Sequence, residues 1–268
     1  LITRISEAFS SKGKNRGLLI TYTMGGYPSY QLANKICRTL AEGGSDILEL
    51  GIPFSDPIAD GPSIQNASAH SISIGIKPMD VLQIARSVRA SYDIPIVLMT
   101  YYNIIYSAGT ERFVSKAKEF GADGLIVPDI LVEEADELIE QGKRVNLDII
   151  PMASPVTGQS RLRNIANKGT GFLYLVSTLG VTGARDRLPQ TITNILKFVK
   201  SNVKSLPVAV GFGISNPEQV RLLVNSGADG IVVGSALIDR INRNLGDEER
   251  ILSELKDFVT SMRKATSF

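Results

Sequence analysis

The sequence contains one cysteine, Cys37, and one histidine, His70. A lone cysteine excludes an intramolecular disulfide and fits a reducing compartment. One His with one Cys leaves too few ligands for a zinc site, so no metal is expected. Cys37 falls in an apolar helical pattern and reads as a small core residue. His70, in the run NASAHSI, reads as structural. No apolar run approaches the ~18 residues that a membrane helix requires. No secretory signal opens the chain. Its first residue is Leu rather than Met. The expected location is the cytoplasm, with the plastid stroma as the alternative if a transit peptide was removed or the gene is plastid-encoded. An excess of charge is lacking too: 29 Lys and Arg against 27 Asp and Glu give +2. Nothing therefore argues for a nucleic-acid or bilayer surface. There is no Walker loop, no nucleophile elbow, no linker rich in Ser or Pro and no low-complexity tract.

What is present is a chain of 268 residues, 43% hydrophobic and 21% charged, able to bury a sizeable core. Apolar strands alternate with amphipathic helical segments. A short helix around Ile2, Ile5, Ala8 and Phe9 comes first. Strands then read at Leu18–Tyr22, Ile47–Ile52, Ile94–Thr100, Leu125–Val127, Leu147–Ile150, Phe172–Val176, Val208–Val210 and Ile231–Val233. A helical segment follows each, and YYNIIYSAG reads as a loop after the third strand. Such alternation implies a parallel sheet. Eight repeats at this length favour closure into a barrel, which typically takes roughly 250 residues. One domain over 1–268 is expected, a (β/α)8 barrel with an extra N-terminal helix. Three stretches, EGGSDILELG, EFGADGLIVPD and NSGADGIVVGS, share one plan of helix end, Gly, Asp and buried strand.

The organising stretch is DILELGIPFSDPIADGPSIQ, from Asp46 to Gln65. Glu49 interrupts an apolar strand, where an ionised carboxylate is costly unless paired, hydrated or kept for chemistry. A structural carboxylate with a buried partner is the alternative. Asp56 reads as a turn residue. Asp60 follows in the loop past the strand's C-terminal end, where barrel ligands sit, or serves as a turn or cap. Glycines after strands seven and eight, with a helix start at Gly234-Ser235-Ala236, match the usual barrel phosphate site of backbone amides, or else make tight turns only. GFGISN is not a dinucleotide fingerprint, since its third glycine is missing.

LELGIPFSDPIADGP, with PIVLMTYYN, GLIVPD, GFLYLVSTLGVTGAR, PVAVGFGIS and ADGIVVGSA, resembles the tryptophan synthase alpha chain family, collinearly over essentially the whole chain. The first segment is the most specific; the others alone indicate only a phosphate-binding barrel. The resemblance implies a TIM barrel of the phosphate-binding type, a lyase that cleaves indole-3-glycerol phosphate to indole and glyceraldehyde 3-phosphate. It implies Glu49 as general acid/base and Asp60 as holder of the indole ring nitrogen. Tyr174 lines the site, and Thr182 on a closing loop meets Asp60. Backbone around Gly183, Gly213, Gly234 and Ser235 takes the phosphate. The implied partner is a tryptophan synthase beta chain in an α2β2 complex with an indole tunnel. Pyridoxal phosphate belongs to that partner, so no cofactor is expected in this chain.

The residue chemistry agrees. Retro-aldol cleavage needs a proton delivered to the departing ring carbon and another removed from the adjacent hydroxyl. One carboxyl does both if apolar surroundings bring its pKa near the working pH. A second carboxylate stabilises positive charge at the ring N–H. Tyr22, Met99, Tyr101, Ile126, Phe212 and Ile231 are expected to wall the indole, each by default core or rim. Two loops depart from the family pattern, with Ile104 and Leu131 where prolines are usual, and the first strand ends TYTMGGYP rather than TAGDP. Both loops are implied to face the partner. A stand-alone lyase, a weakly catalytic activator of a beta chain, or another phosphate-sugar barrel enzyme are the alternatives.

Overall fold

A computed structural model describes residues 2–13, 16–176, 191–211 and 213–267 of the protein. The strands are β1 Leu18–Met24, β2 Ile47–Gly51, β3 Ile96–Met99, β4 Gly124–Ile126, β5 Asp148–Ile150, β6 Met152–Ala153, β7 Leu173–Val176, β8 Val208–Gly211 and β9 Gly230–Val233. The helices up to mid-chain are α1 Arg4–Ser11, α2 Tyr30–Glu42, α3 Pro62–Ser73, α4 Pro78–Arg89, α5 Tyr102–Ala108 and α6 Thr110–Glu119. After them come α7 Asp136–Val145, α8 Gln159–Lys168, α9 Thr191–Asn202, α10 Pro217–Asn225, α11 Ser235–Arg243 and α12 Glu248–Lys264.

All nine strands run parallel, in the order β5-β4-β3-β2-β1-β9-β8-β7-β6. The two ends of that order are consecutive in sequence, separated only by Pro151. Proline has no N–H to give a ladder, so the fifth stave is split there. Its first half, β5, pairs with β4 and its second half, β6, with β7. Thr170 N–H donates to Ile149 O (3.0 Å) and Tyr174 N–H to Pro151 O (2.9 Å), which closes the ring. The result is an eight-stave TIM barrel. The expected α1 is present: Thr3 caps it, and its Ile5, with no exposed surface, reaches the N-terminal end of the barrel beside Gly124.

Two elements differ from expectation: β6, beyond the expected end of the fifth strand at Ile150, and α5. Tyr102–Ala108, expected as loop, is the helix α5. Its seven residues include two adjacent isoleucines, and its helicity comes from burial of Ile105 against the core rather than from propensity. α3 begins at Pro62, four residues before the helical-looking NASAHSI run, with proline in the first turn where no donor is lost.

The three echoed stretches are one device used three times. α2, α6 and α10 each end with a glycine in the left-handed region: Gly44 at φ 103°, Gly121 at 94° and Gly227 at 100°. The next residue then donates back to the helix, Ser45 to Leu40 O, Ala122 to Ala117 O and Ala228 to Leu223 O, as in the Schellman motif. An aspartate follows each time. Asp46, Asp123 and Asp229 accept backbone N–H from Leu19 (2.8 Å), Ile96 (3.0 Å) and Val208 (2.8 Å) on the preceding stave. Each also meets cations from other elements: Asp46 with Arg16 and Arg263, Asp123 with Arg89, Arg4 and Lys118, Asp229 with Lys12 and Lys200. These carboxylates pin the N-terminal rim, the face that serves stability in this architecture.

Asp123 is the most buried of the three, at 2% exposure. Asp123→Ala leaves the Ile96 N–H and Arg89 without their acceptor and is expected to lower unfolding stability by about 3 kcal/mol. Asp123→Asn keeps an acceptor for the amide and is expected to lose less. Urea denaturation midpoints measure both; an alanine variant as stable as the parent contradicts this role.

Candidate active site

The C-terminal rim holds a cavity of about 710 Å³. β2 brings Glu49 to its floor, directly opposite Tyr22 of β1 in the ladder. Glu49 is 1% exposed, and among the described residues neither of its carboxylate oxygens has a hydrogen-bond partner. No cation pairs with it among the described residues. Burial, and to a lesser extent the charge of Asp60, push its pKa up to about 8. Asp60 comes from the loop after β2 and is also buried. Burial raises its pKa to about 6, against a lowering by the hydrogen bond it accepts from Tyr101. At neutral pH the first carboxyl is therefore mostly protonated and the second mostly ionised. Environments that split two carboxyls in this way assign an acid and an anion to one site.

Two tyrosines flank the pair, and each lies over a glycine of the next stave. A Cβ on Gly51 would stand 2.3 Å from the Tyr22 hydroxyl oxygen, and one on Gly211 would stand 2.6 Å from the Tyr174 ring. The glycines that end β2 and β8 are thus required by the rings that cross them. Burial raises both phenol pKa values, with the fields of Glu49 and Asp60 adding to it, so both hydroxyls stay protonated donors.

The cavity is also lined by Gly213, at φ 69°, and by Gly234 and Ser235, with Gly234 against the Tyr22 side chain. Gly234 caps α11 without any side-chain hydrogen bond. The N-terminus of α11 thus lies at the cavity, the kind of position at which helix amides and the helix dipole favour an anion.

The structure brings Glu49, Asp60, Tyr22, Met99, Tyr174, Gly213, Gly234 and Ser235 around one cavity. Ile126 and Ile231 are wholly buried and off its wall; their neighbours Val127 and Val232 line it instead. Tyr101 stands behind Asp60 rather than on the wall. Thr182, Gly183 and Phe212 lie outside the described residues. His70 accepts no role here: its Nε2 contacts Pro28 O (2.9 Å) and its ring meets Tyr27 edge-on. Cys37 is buried in α2. Among the described residues no group of three or more His, Cys, Asp or Glu is placed to hold a metal, and no helix is long and apolar enough to cross a membrane.

The sequence reading missed the cavity's extension past the split stave, toward Ile139 of α7 and Ile165 of α8. Pro151 between two short apolar runs was its only signal. Around the mouth, Ile58, Leu131 and Val156 are 77%, 51% and 81% exposed.

A closed parallel barrel with two buried carboxyls and a helix N-terminus around one cavity at its C-terminal rim has the layout of a TIM-barrel enzyme. The profile of the tryptophan synthase alpha chain family matches residues 9–267. The Methanoregula boonei tryptophan synthase alpha chain is 42% identical over 99% of both chains. A Mycobacterium tuberculosis tryptophan synthase structure superposes with a TM-score of 0.92 at 30% identity, covering 100% of both chains. A Pyrococcus furiosus tryptophan synthase complex gives 0.84 at 38%, covering 92% of this chain and 98% of that one. The chain belongs to the tryptophan synthase alpha chain family, whose members are lyases of tryptophan biosynthesis.

Folding raises the Glu49 pKa, so the native chain keeps a proton that the unfolded chain releases between about pH 4.5 and 8. Stability contributed by this group therefore falls as pH rises through that window. Glu49→Gln removes the titration. At pH 8.5 the variant is expected to be more stable than the parent by on the order of a few kcal/mol, with the two converging below pH 4.5. Urea denaturation across pH measures it; a variant never more stable than the parent contradicts the uncharged, unpartnered state.

Proposed function

We propose that the chain cleaves indole-3-glycerol phosphate to indole and glyceraldehyde 3-phosphate. The observation that carries this reading is an unpartnered carboxyl, Glu49, held protonated beside the ionised Asp60. In the reaction Glu49 gives its proton to the ring carbon that bears the glycerol chain. Positive charge develops at the ring nitrogen, where the Asp60 carboxylate accepts the N–H and stabilises it. The bond from ring to chain then breaks, and its electron pair returns to the ring. The adjacent hydroxyl becomes the aldehyde carbonyl, and its proton returns to Glu49. Gly213, Gly234 and Ser235 hold the phosphate. Tyr22, Met99 and Tyr174 wall the ring. The chemistry so written asks for no cofactor in this chain.

Turnover of indole-3-glycerol phosphate tests this. Glu49→Gln is expected to lower kcat by about 10²–10⁴-fold and Asp60→Asn by about 10²-fold. In the parent, kcat/KM falls below about pH 6 as Asp60 takes a proton and above about pH 8 as Glu49 loses one. Full activity in the Gln variant excludes Glu49 as the acid/base.

The partner implied by this reading is a tryptophan synthase beta chain, in an α2β2 assembly that receives the indole and carries its own pyridoxal phosphate. Exposed Ile58, Leu131 and Val156 around the mouth support a docked partner there. Ile104, by contrast, turns partly into the core beneath α5. Leu131→Asp is expected to weaken co-elution with a beta chain at least tenfold while the chain's own lyase rate changes little. Unchanged co-elution places the contact elsewhere.

A further inference from the structure

Tyr101 stands directly after β3, at the start of α5, and is 3% exposed. Its ring stacks on Phe54, with centroids 4.8 Å apart and planes at 18°. Its hydroxyl makes two hydrogen bonds at once. It accepts the N–H of Ala59 at 3.1 Å and donates to Asp60 Oδ2 at 3.0 Å. Other ties of the Pro53–Gly61 segment come from its own neighbourhood: Ser68 holds Phe54, and Gln65 donates to Asp60 O. Among the described residues, Tyr101 is the one side chain that hydrogen-bonds this segment from another stave. Asp60 Oδ1 makes no hydrogen bond among them and is left for the cavity.

We propose that Tyr101 is the positioning residue of Asp60: it latches the loop after β2 to the third stave and occupies one carboxylate oxygen, so that the other meets the substrate's ring N–H. This rests on the reading of Asp60 given above. The latch has two parts with different chemistry. The Phe54 stack fixes where the loop lies, and the hydroxyl fixes how the carboxylate is aimed. The second part is electrostatic as well. Among the described residues the ionisable groups facing Asp60 are Glu49 on β2, Tyr22 on β1, Tyr174 on β7 and Tyr101, and none of these is a cation. The Tyr101 hydroxyl is therefore the group that favours the ionised form against burial. Asp129, on the loop after β4, accepts the N–H of the next residue, Tyr102, at 2.9 Å and so fixes the turn that aims Tyr101.

Tyr101→Phe keeps the stack and removes only the hydroxyl. Two readouts are required. In the ligand-free full chain, the ¹³C-carboxyl titration of Asp60, identified by its loss in Asp60→Asn, is expected to move up by about one pH unit. In turnover of indole-3-glycerol phosphate, kcat is expected to fall about tenfold at pH 7 with KM nearly unchanged, and the acid limb of kcat/KM to move up with the titration. Raising the pH then recovers part of the loss, which a purely structural defect would not do. An unmoved Asp60 midpoint with an unmoved acid limb overturns the role of Tyr101. A parent chain without lyase turnover overturns instead the reading of Asp60 on which it stands.

Discussion

A carboxyl with no partner, enclosed by apolar walls, is the constraint around which this barrel is arranged. Among the described residues Glu49 has no cation, no amide and no hydroxyl to satisfy it. Such a group is tolerated only if it is uncharged, and a buried neutral acid still forfeits hydrogen bonds that water would give. The fold does not relieve this; it maintains it. β2 is buried along its whole length, Tyr22 closes one side, and Gly51 exists so that the Tyr22 ring can cross. Asp60 adds repulsion. A stability-minded sequence would place Leu or Gln at this position, so the strain reads as retained for chemistry.

The stability that Glu49 gives up is supplied at the other end of the staves. The N-terminal rim is held by Asp46, Asp123 and Asp229, each bonded to a backbone amide of the preceding stave and to side-chain cations. The contrast within one chain is direct. Carboxylates at strand starts are saturated with partners, whereas among the described residues Glu49 has none and the Asp60 carboxylate has the Tyr101 hydroxyl alone. The same residue types are thus well partnered at one rim and poorly partnered at the other, and burial alone does not distinguish them: Asp123 and Glu49 are about equally hidden. Partner count does.

Much of this was legible in the sequence because the signals were physical. Fully buried parallel strands read as apolar runs, and Glu49 stood out by interrupting one. The glycine at φ > 0 before each strand-starting Asp left a repeat visible without any structure. What stayed hidden has equally physical reasons. A strand buried on both faces lacks the alternation that tells inside from outside, so Ile126 and Ile231 were expected on a wall that Val127 and Val232 occupy. α5 was missed because YNIIYSA is a poor helix former held by tertiary contact. Tyr101 was expected to face the ligand. Its position two residues after Met99 gives the face but not the depth, and depth depends on the Phe54 loop that folds over it.

The account is tested most directly by watching the Glu49 carboxyl itself. Infrared difference spectroscopy of the ligand-free chain, titrated from pH 5 to 10 against Glu49→Gln, reports its protonated C=O stretch. The account predicts a protonated carboxyl band present at pH 7, lost with a midpoint near 8 and missing from the Gln variant. A carboxyl already ionised at pH 6, titrating near the ordinary glutamate range, would contradict it.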